Sequence, residues 1–498
     1  MPQLSRAAPP AEKAATFPAC IWSLPRGFLL LSFIVIAAVF RLLHLGARSL
    51  WLDEPATIAF ARMPWPRFAH IWQYGEAAYQ GEYFLLMRGW MQLGGSEWWA
   101  RLPSAIFAIA SVPLIYAVAR KLMGERAALA SALLLAVNPT AVYYSQDARS
   151  YTMAIFLVLA SAWFFVCAVE QNRERDWLLW TLCSALAVYT HLFAALVMVG
   201  QAASLLTYRK SGRWSRMLPH ALLILVISLP VLTLVLRIPP HDLQFPWMPS
   251  ATPKQLLHLA LFLGGSGDKL LFFGILWVAA LRSIWRDRLR HDEPENWWRG
   301  CVLILWAVIP VVILALVSLR NPVFVQRYMI FCLPATIMLA ARGLIALPQR
   351  NLGLWLVLIL SVSCVANIFL GYRKPREDWR GATRAVVASA APGDAVVIYP
   401  SYARPGFDYY YDPQGRSAAP LRLFGQFYNQ GEDEEDVVGA LNANEHAFQH
   451  VWVVMRDQGP GLRALEDYSP TVAAKLTSVF GAPKASIYPG ITVLQFGR

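Results

Sequence analysis

Apolar runs of about 17–25 residues recur along most of the chain, separated by short polar stretches. Runs of that length and composition predict helices that cross a bilayer. They fall at about 28–45, 99–119, 127–144, 151–170, 177–189, 191–208, 218–236, 255–281, 301–319, 328–347 and 352–371, about eleven in all. The 177–208 stretch reads as two spans broken at Tyr189-Thr190-His191, or as one long kinked helix. Residues 46–97 form a mostly non-spanning loop. Within it, Glu54 to Arg62 has helical spacing and one apolar side, which suits a helix lying in the interface plane. Tyr83 to Leu93 is apolar but too short to span, and reads as a second interfacial or a re-entrant helix.

The two ends differ from this middle. Residues 1–26 are rich in Ala and Pro and read as a disordered tail. Residues 372–498 are polar and mix both periodicities. Asp378 is placed to cap a helix from Trp379 to Ala390, and Ala395–Tyr399 and His450–Met455 read as buried strands. Leu462 to Phe480 reads as helix, and Ser486–Phe496 as a hairpin through Pro489-Gly490. The expected fold is a polytopic α-helical membrane protein, residues 27–371, followed by a small C-terminal α/β domain, residues 372–498.

Composition adds direction. The chain has 498 residues, 57% of them hydrophobic, and a formal net charge of +13, which in a soluble protein would suggest nucleic acid. Here the cations collect in alternate loops: Arg120, Lys121 and Arg126; Arg173 and Arg175; Arg209 to Arg216; Arg282 to Arg299; Arg342 and Arg350. That is the positive-inside pattern, so no nucleic-acid partner is expected and the N-terminus is read as cytoplasmic. An odd number of spans then puts the C-terminus on the opposite, periplasmic side. Of the six cysteines only Cys20 lies outside the apolar runs, and none has CxxC spacing. Neither a disulfide framework nor a zinc motif is indicated, and His191 and His258 lack HExxH spacing.

The topology brings certain polar residues to the outer face: Asp53 and Glu54; Glu76 and Glu82; Gln146, Asp147 and Arg149; His191; His241 and Asp242; Arg320 and Arg327. Asp53 fits either the N-cap of the interfacial helix or an ionised base. Asp147 and Arg149 fit a capping turn with a local ion pair. Arg320 and Arg327 flank Asn321-Pro322 and suit interface anchoring or a phosphate. His191 suits a packed histidine or a ligand contact.

Several stretches occur in an order that resembles one family. They are Ser49-Leu50-Trp51-Leu52-Asp53-Glu54, Tyr83-Phe84-Leu85-Leu86-Met87-Arg88-Gly89-Trp90 and Ser96-Glu97-Trp98-Trp99-Ala100-Arg101-Leu102-Pro103-Ser104, then Tyr143-Tyr144-Ser145-Gln146-Asp147-Ala148-Arg149-Ser150-Tyr151, Tyr189-Thr190-His191, Gln326-Arg327-Tyr328 and Asp378-Trp379-Arg380. The set resembles the bacterial polyprenyl-phosphate-sugar-dependent glycosyltransferases of the GT-C class, relatives of protein O-mannosyltransferases and of the lipid A aminoarabinose transferase. The resemblance implies a multi-pass inner-membrane enzyme that moves a sugar from a polyprenyl-monophosphate carrier to a lipid, glycan or protein acceptor on the periplasmic face. It implies Asp53 as general base, with Glu54 beside it in the catalytic pair. It implies substrate contacts from Glu76, Glu82, Asp147, Arg149, His191, Arg320 and Arg327, with Arg327 foremost on the phosphate. The segment Glu76-Ala77-Ala78-Tyr79-Gln80-Gly81-Glu82 departs from the acidic-Pro-Pro or His-Gly pattern of many relatives, so a divalent metal stays open. The rival reading is a transporter or flippase for a lipid-linked sugar. Against it, the ionisable residues sit at span ends and no internal repeat is visible. A third reading is a catalytically inactive relative used as a binding subunit.

Overall fold

The computed structural model describes residues 25–74, 80–208, 212–237, 248–265, 267–290, 294–411, 421–427, 431–456 and 462–497. The expectations for the N-terminal tail, Glu76, His241 and Asp242 lie outside the described residues. Helix occurs in every stretch predicted to span. Among the described residues, six helices are long and apolar enough by themselves to cross a membrane, or seven if one bent pair is counted as a single span. Arg26–Leu42 and Glu174–Thr190 stop at 17 residues each. Length and composition therefore do not reach the expected eleven.

Two predicted spans are broken. The 127–144 stretch is Glu125–Ala136 followed by Pro139–Ser145, bent by 53°. Asn138 ends the first piece and caps the second, accepting from Ala141 N at 2.9 Å, and Pro139 supplies the first helical residue. The 255–281 stretch is Pro253–Leu263 and Leu270–Leu289, separated at Gly264-Gly265. Gly265 has φ of +86°, and a Cβ there would press on Pro139, so the two breaks pack against each other. Thr140 Oγ1 also donates to the Phe262 carbonyl at 2.9 Å. Carbonyls at the first break also bind a charge. Buried Arg41 donates to Ala136 O at 2.8 Å and Leu135 O at 3.0 Å.

The 27-residue helix Glu97–Met123 contains Pro103, which cannot donate to the Trp99 carbonyl four residues back. Trp90 Nε1 donates to it instead at 2.9 Å, and Trp99 Nε1 returns a bond to Trp90 O at 3.0 Å. The two indoles stack at 4.5 Å. This exchange ties the short helix Gly81–Trp90 to the long one.

Tyr151–Gln171 and Gln326–Ala346 are the most buried of the long apolar helices, and Arg213–Thr233 is the least buried, at the periphery. Outer helices present stripes at helical spacing, such as Leu222, Leu225, Val226 and Leu229, or Val308, Val312 and Leu316. Exposed apolar stripes of this kind suit a lipid surface.

The C-terminal unit is a five-stranded sheet with strands β1 (Ala395–Tyr399), β2 (Arg422–Phe424), β3 (His450–Arg456), β4 (Lys484–Tyr488) and β5 (Ile491–Gly497), in the order β2-β1-β3-β5-β4. β1 pairs in parallel with β2 and β3; β5 runs antiparallel to β3 and β4. Strand side chains alternate between two cores. Ala395, Val397 and Tyr399 pack with Val472 and Leu476 on one face. Val396 and Ile398 pack with Trp379 and Phe407 on the other, against which Leu52 also rests. Asp378 accepts from Gly381 N at 2.9 Å and caps Trp379–Ser389. The hairpin turns at Gly490, φ +65°.

Candidate active site

Asp53 and Glu54 open the helix Asp53–Arg62. Consecutive helical residues point about 100° apart, so the two carboxylates serve different surroundings. The N-cap position falls to Leu52, and Asp53 makes no capping bond, so the capping expectation is not met.

Glu54 points inward and is wholly buried. Arg101 grips it with two parallel bonds, Nε to Oε1 and Nη2 to Oε2, both 2.7 Å. Ala148 N donates to Oε1 at 2.9 Å and Trp51 N to Oε2 at 3.2 Å. Arg101 also donates to the carbonyls of Leu45 and Arg48 at 2.8 Å and of Ser49 at 3.0 Å. One residue thus clamps the whole segment leading to Asp53. Arg376, just after the last membrane helix, lies 2.7 Å from Asp147 Oδ1 and 3.7 Å from Glu54 Oε2. Its guanidinium covers the Tyr143 ring at 4.7 Å.

Glu54, Asp147, Arg101 and Arg376 form a buried, charge-balanced cluster. Burial alone would raise Glu54, but the Arg101 charge and bonds outweigh it and hold the carboxyl below its usual range. Burial pushes Asp147 up, against the pull of Arg376 and with the repulsion of Glu54. The structure therefore puts Glu54 and Asp147, expected as a catalytic residue and a substrate contact, inside an ion network out of reach of solvent. Nor is there an Asp147–Arg149 side-chain pair; Asp147 goes to Arg376 instead.

Asp53 faces the other way. Its carboxylate is 3.9 Å from Arg327 Nη2. Arg149 Nη1 reaches the Asp53 carbonyl at 3.5 Å and Thr57 Oγ1 at 3.3 Å. Arg327 also lies over the Tyr328 ring at 5.7 Å. Electrostatic contact joins Arg149 to Asp53, Tyr151 and Tyr328. Asp53 Oδ2, Arg149 Nε, the Tyr151 hydroxyl and His191 Nδ1 are all buried without a hydrogen-bond partner among the described residues. Buried polar atoms are seldom left so. Converging here, they form a polar cluster with two cations and one anion.

Around it, His191 packs against Tyr328 and Phe331 at 5.7 and 5.6 Å. Glu82 accepts from Thr190 Oγ1 at 2.9 Å, and burial raises its pKa, the Thr190 bond offsetting part of the rise. Arg320 is exposed and has no contact with Asp53 or Arg327 among the described residues. No group of three or more His, Cys, Asp or Glu side chains that could hold a metal ion converges among the described residues, and Glu76 lies outside them. Arg101 and Arg376 escaped assignment from sequence. The only trace was their position, beside Leu102-Pro103 and just before Asp378-Trp379.

Residues 83–235 match the family described as dolichyl-phosphate-mannose-protein mannosyltransferase. The chain is 26% identical over 344 residues to undecaprenyl phosphate-alpha-4-amino-4-deoxy-L-arabinose arabinosyl transferase 1 of Pseudomonas fluorescens, covering 61% of this chain and 57% of that one. It thus spans a little over half the length of the curated relative it matches. ArnT from Cupriavidus metallidurans, solved with bound undecaprenyl phosphate, superposes with TM-score 0.62 at 15% identity over 95% of this chain and 98% of that one. The arabinofuranosyltransferase AftD from Mycobacteria superposes with TM-score 0.53 at 15% identity over 95% of this chain and 40% of that one. The chain shares the fold of the solved ArnT structure.

Proposed function

We propose that the chain transfers a sugar from a polyprenyl-monophosphate carrier to an acceptor hydroxyl, with Asp53 as general base. The observation that carries this reading is the cluster itself, where a carboxylate stands beside Arg327 and Arg149 among buried, unpartnered polar atoms. Asp53 removes the acceptor proton while the acceptor oxygen attacks the anomeric carbon. The bond from that carbon to the phosphate oxygen breaks, and the lipid monophosphate leaves with the electron pair. Arg327 and Arg149 stabilise the charge gained by the phosphate, and Tyr151 donates to it. A single displacement inverts the anomeric configuration. A phosphate leaving group needs no acid, in contrast to the carboxyl pair of glycosidases.

In this reading Glu54 and Asp147 are positioning residues that fix the Asp53 segment and the Gln146–Ser150 turn. Glu82, with Thr190, is placed for a sugar or acceptor hydroxyl, and His191 forms part of the aromatic wall. Exposed Arg320 is assigned to the interface. The protein is an inner-membrane enzyme, N-terminus cytoplasmic, with the C-terminal unit on the periplasmic side beside Asp53. The relatives named above favour a carrier of the undecaprenyl or dolichyl type. The acceptor class is a lipid, a glycan or a protein.

The test uses full-length protein in detergent with undecaprenyl phosphates carrying 4-amino-4-deoxy-arabinose or mannose, and cell-membrane extract as acceptor. Release of undecaprenyl phosphate by wild type and its loss in Asp53→Asn support the reading. Equal release by both proteins removes Asp53 from the base role. Donor binding without release in either protein favours transport.

A further inference from the structure

The segment that ends at Asp53 is short of internal hydrogen bonds, and two of its amides are held from more than three hundred residues away in sequence. Leu50 N donates to the Tyr410 hydroxyl at 2.8 Å, and Leu52 N donates to Glu377 Oε2 at 3.1 Å. Between them, Trp51 N uses Glu54. Neither distant acceptor is a loose side chain. The Tyr410 hydroxyl also accepts from Ser49 Oγ at 3.2 Å and donates to Glu97 Oε1 at 2.8 Å. That same Glu97 oxygen is held by Arg380 Nη2 at 2.6 Å and Nε at 2.9 Å. Arg380 N then donates back to Ser49 Oγ at 3.2 Å. Glu377 Oε2 accepts from Trp379 Nε1 at 2.9 Å, and its Oε1 from Arg456 at the end of β3 at 2.8 Å. The sheet thereby fixes Glu377, and Glu377 fixes Leu52, the residue before Asp53. Tyr409 adds a bond from its hydroxyl to the Gly95 carbonyl at 2.6 Å.

We propose that the C-terminal α/β unit is a positioning part of the active centre, with Tyr410 and Glu377 as positioning residues that hold the Leu50 and Leu52 amides and so set where the Asp53 carboxylate stands. This rests on the reading of Asp53 as the base. The cations that face the Asp53 carboxylate, Arg149 and Arg327, belong to the membrane part. The backbone that carries the carboxylate is tied to the C-terminal unit. The geometry between base and phosphate site therefore depends on the contact between the two. An ångström of drift in a reacting group costs up to about a hundredfold in rate.

The experiment uses the full chain in detergent and compares Tyr410→Phe, Glu377→Gln and Glu377→Ala with Arg422→Gln. Arg422 pairs with Glu432 on the exposed edge of the same sheet, so its variant controls for damage to the unit. Three readouts are taken: amide hydrogen exchange of the peptide around 46–56, the thermal midpoint, and kcat and KM for the undecaprenyl-phosphate sugar that wild type turns over. The expected result for Tyr410→Phe and Glu377→Ala is exchange at least about threefold faster in that peptide, the ordinary factor for one lost hydrogen bond. kcat is expected to fall about tenfold or more with KM within about threefold, and the midpoint to match the control. Glu377→Gln keeps an acceptor oxygen for Leu52 and is expected to recover most of kcat, although it too loses the charge facing Arg456. Unchanged exchange overturns the proposal, as does faster exchange at undiminished kcat, or a loss of kcat no larger than the control's. Wild-type turnover by Asp53→Asn defeats the base reading alone. The exchange readout needs no donor, and it still decides whether the C-terminal unit holds the loop.

Discussion

Glu54 and Arg101 offer the sharpest energetic test, because each is buried and each has the other as its main partner. Glu54→Gln keeps the shape but turns one oxygen into a donor facing Arg101 or Ala148 N. It also leaves Arg101 and Arg376 with only Asp147 to balance them. Removing one partner of a buried ion pair costs about 3–5 kcal/mol. That is a large part of the ~5–15 kcal/mol that holds a typical fold. Arg101→Met removes the same pair and the three carbonyl bonds to Leu45, Arg48 and Ser49. The double variant no longer buries an unpaired charge at this pair, so it should be more stable than the sum of the single losses, by about 1–3 kcal/mol. Equilibrium unfolding by SDS in mixed micelles, read by tryptophan fluorescence, gives all four free energies. Single losses below about 1 kcal/mol, or additivity within about 0.5 kcal/mol, would refute the argument that this pair is a structural clamp.

Asp53→Asn should show the opposite profile. Its nearest cation is 3.9 Å away and it is partly exposed, so stability should change by less than about 1 kcal/mol while sugar transfer falls about 10²–10⁴-fold. Arg327→Lys keeps the charge but loses the planar fork, and should lower kcat about tenfold in the lipid-phosphate release assay. On acidification, Glu54 contributes stability that is complete above its unfolded value of about 4.3 and drains as pH falls through the lower folded value. Unfolding midpoints between about pH 3 and 6 should show that acid limb in wild type and lack it in Glu54→Gln. Gly343→Ala would drive a Cβ into the Leu276 carbonyl where Leu333–Ala346 crosses Leu270–Leu289, for a loss of about 1–3 kcal/mol. The control is Gly274→Ala, which meets open space and should be neutral or stabilising in the same unfolding assay.

Hydropathy located the helices because each apolar run is long compared with its breaks. It merged 127–144 and 255–281 because an average over a run hides a kink of two or three residues. Both breaks had local signals, Asn138-Pro139 and Gly264-Gly265, and what fixes them is their mutual contact. In the candidate site, the nearness of Asp53 to Arg327, 3.9 Å apart, was legible from their shared face. The roles of Glu54 and Asp147 were not, because Arg101 and Arg376 reach them through tertiary packing rather than spacing. The expected Asp147–Arg149 pair failed for a local reason as well. Arg149 N already bonds the Asp147 carbonyl at 2.8 Å in a tight turn, and the two side chains leave it toward different partners. In the C-terminal unit, buried strands and an Asp cap are short-range features, and they were readable in the sequence.

Arg41 gives the molecule a timetable. Its carbonyl acceptors lie 94 and 95 residues further along the chain, so on a translating ribosome the guanidinium emerges well before they exist. Until then it has only the Ala37 carbonyl of its own helix, at 3.2 Å, and a cation so poorly served stays near the headgroups. The charge is served only when Glu125–Ala136 arrives and offers its end, so the broken helix that would be a defect in isolation becomes the receptor for the guanidinium.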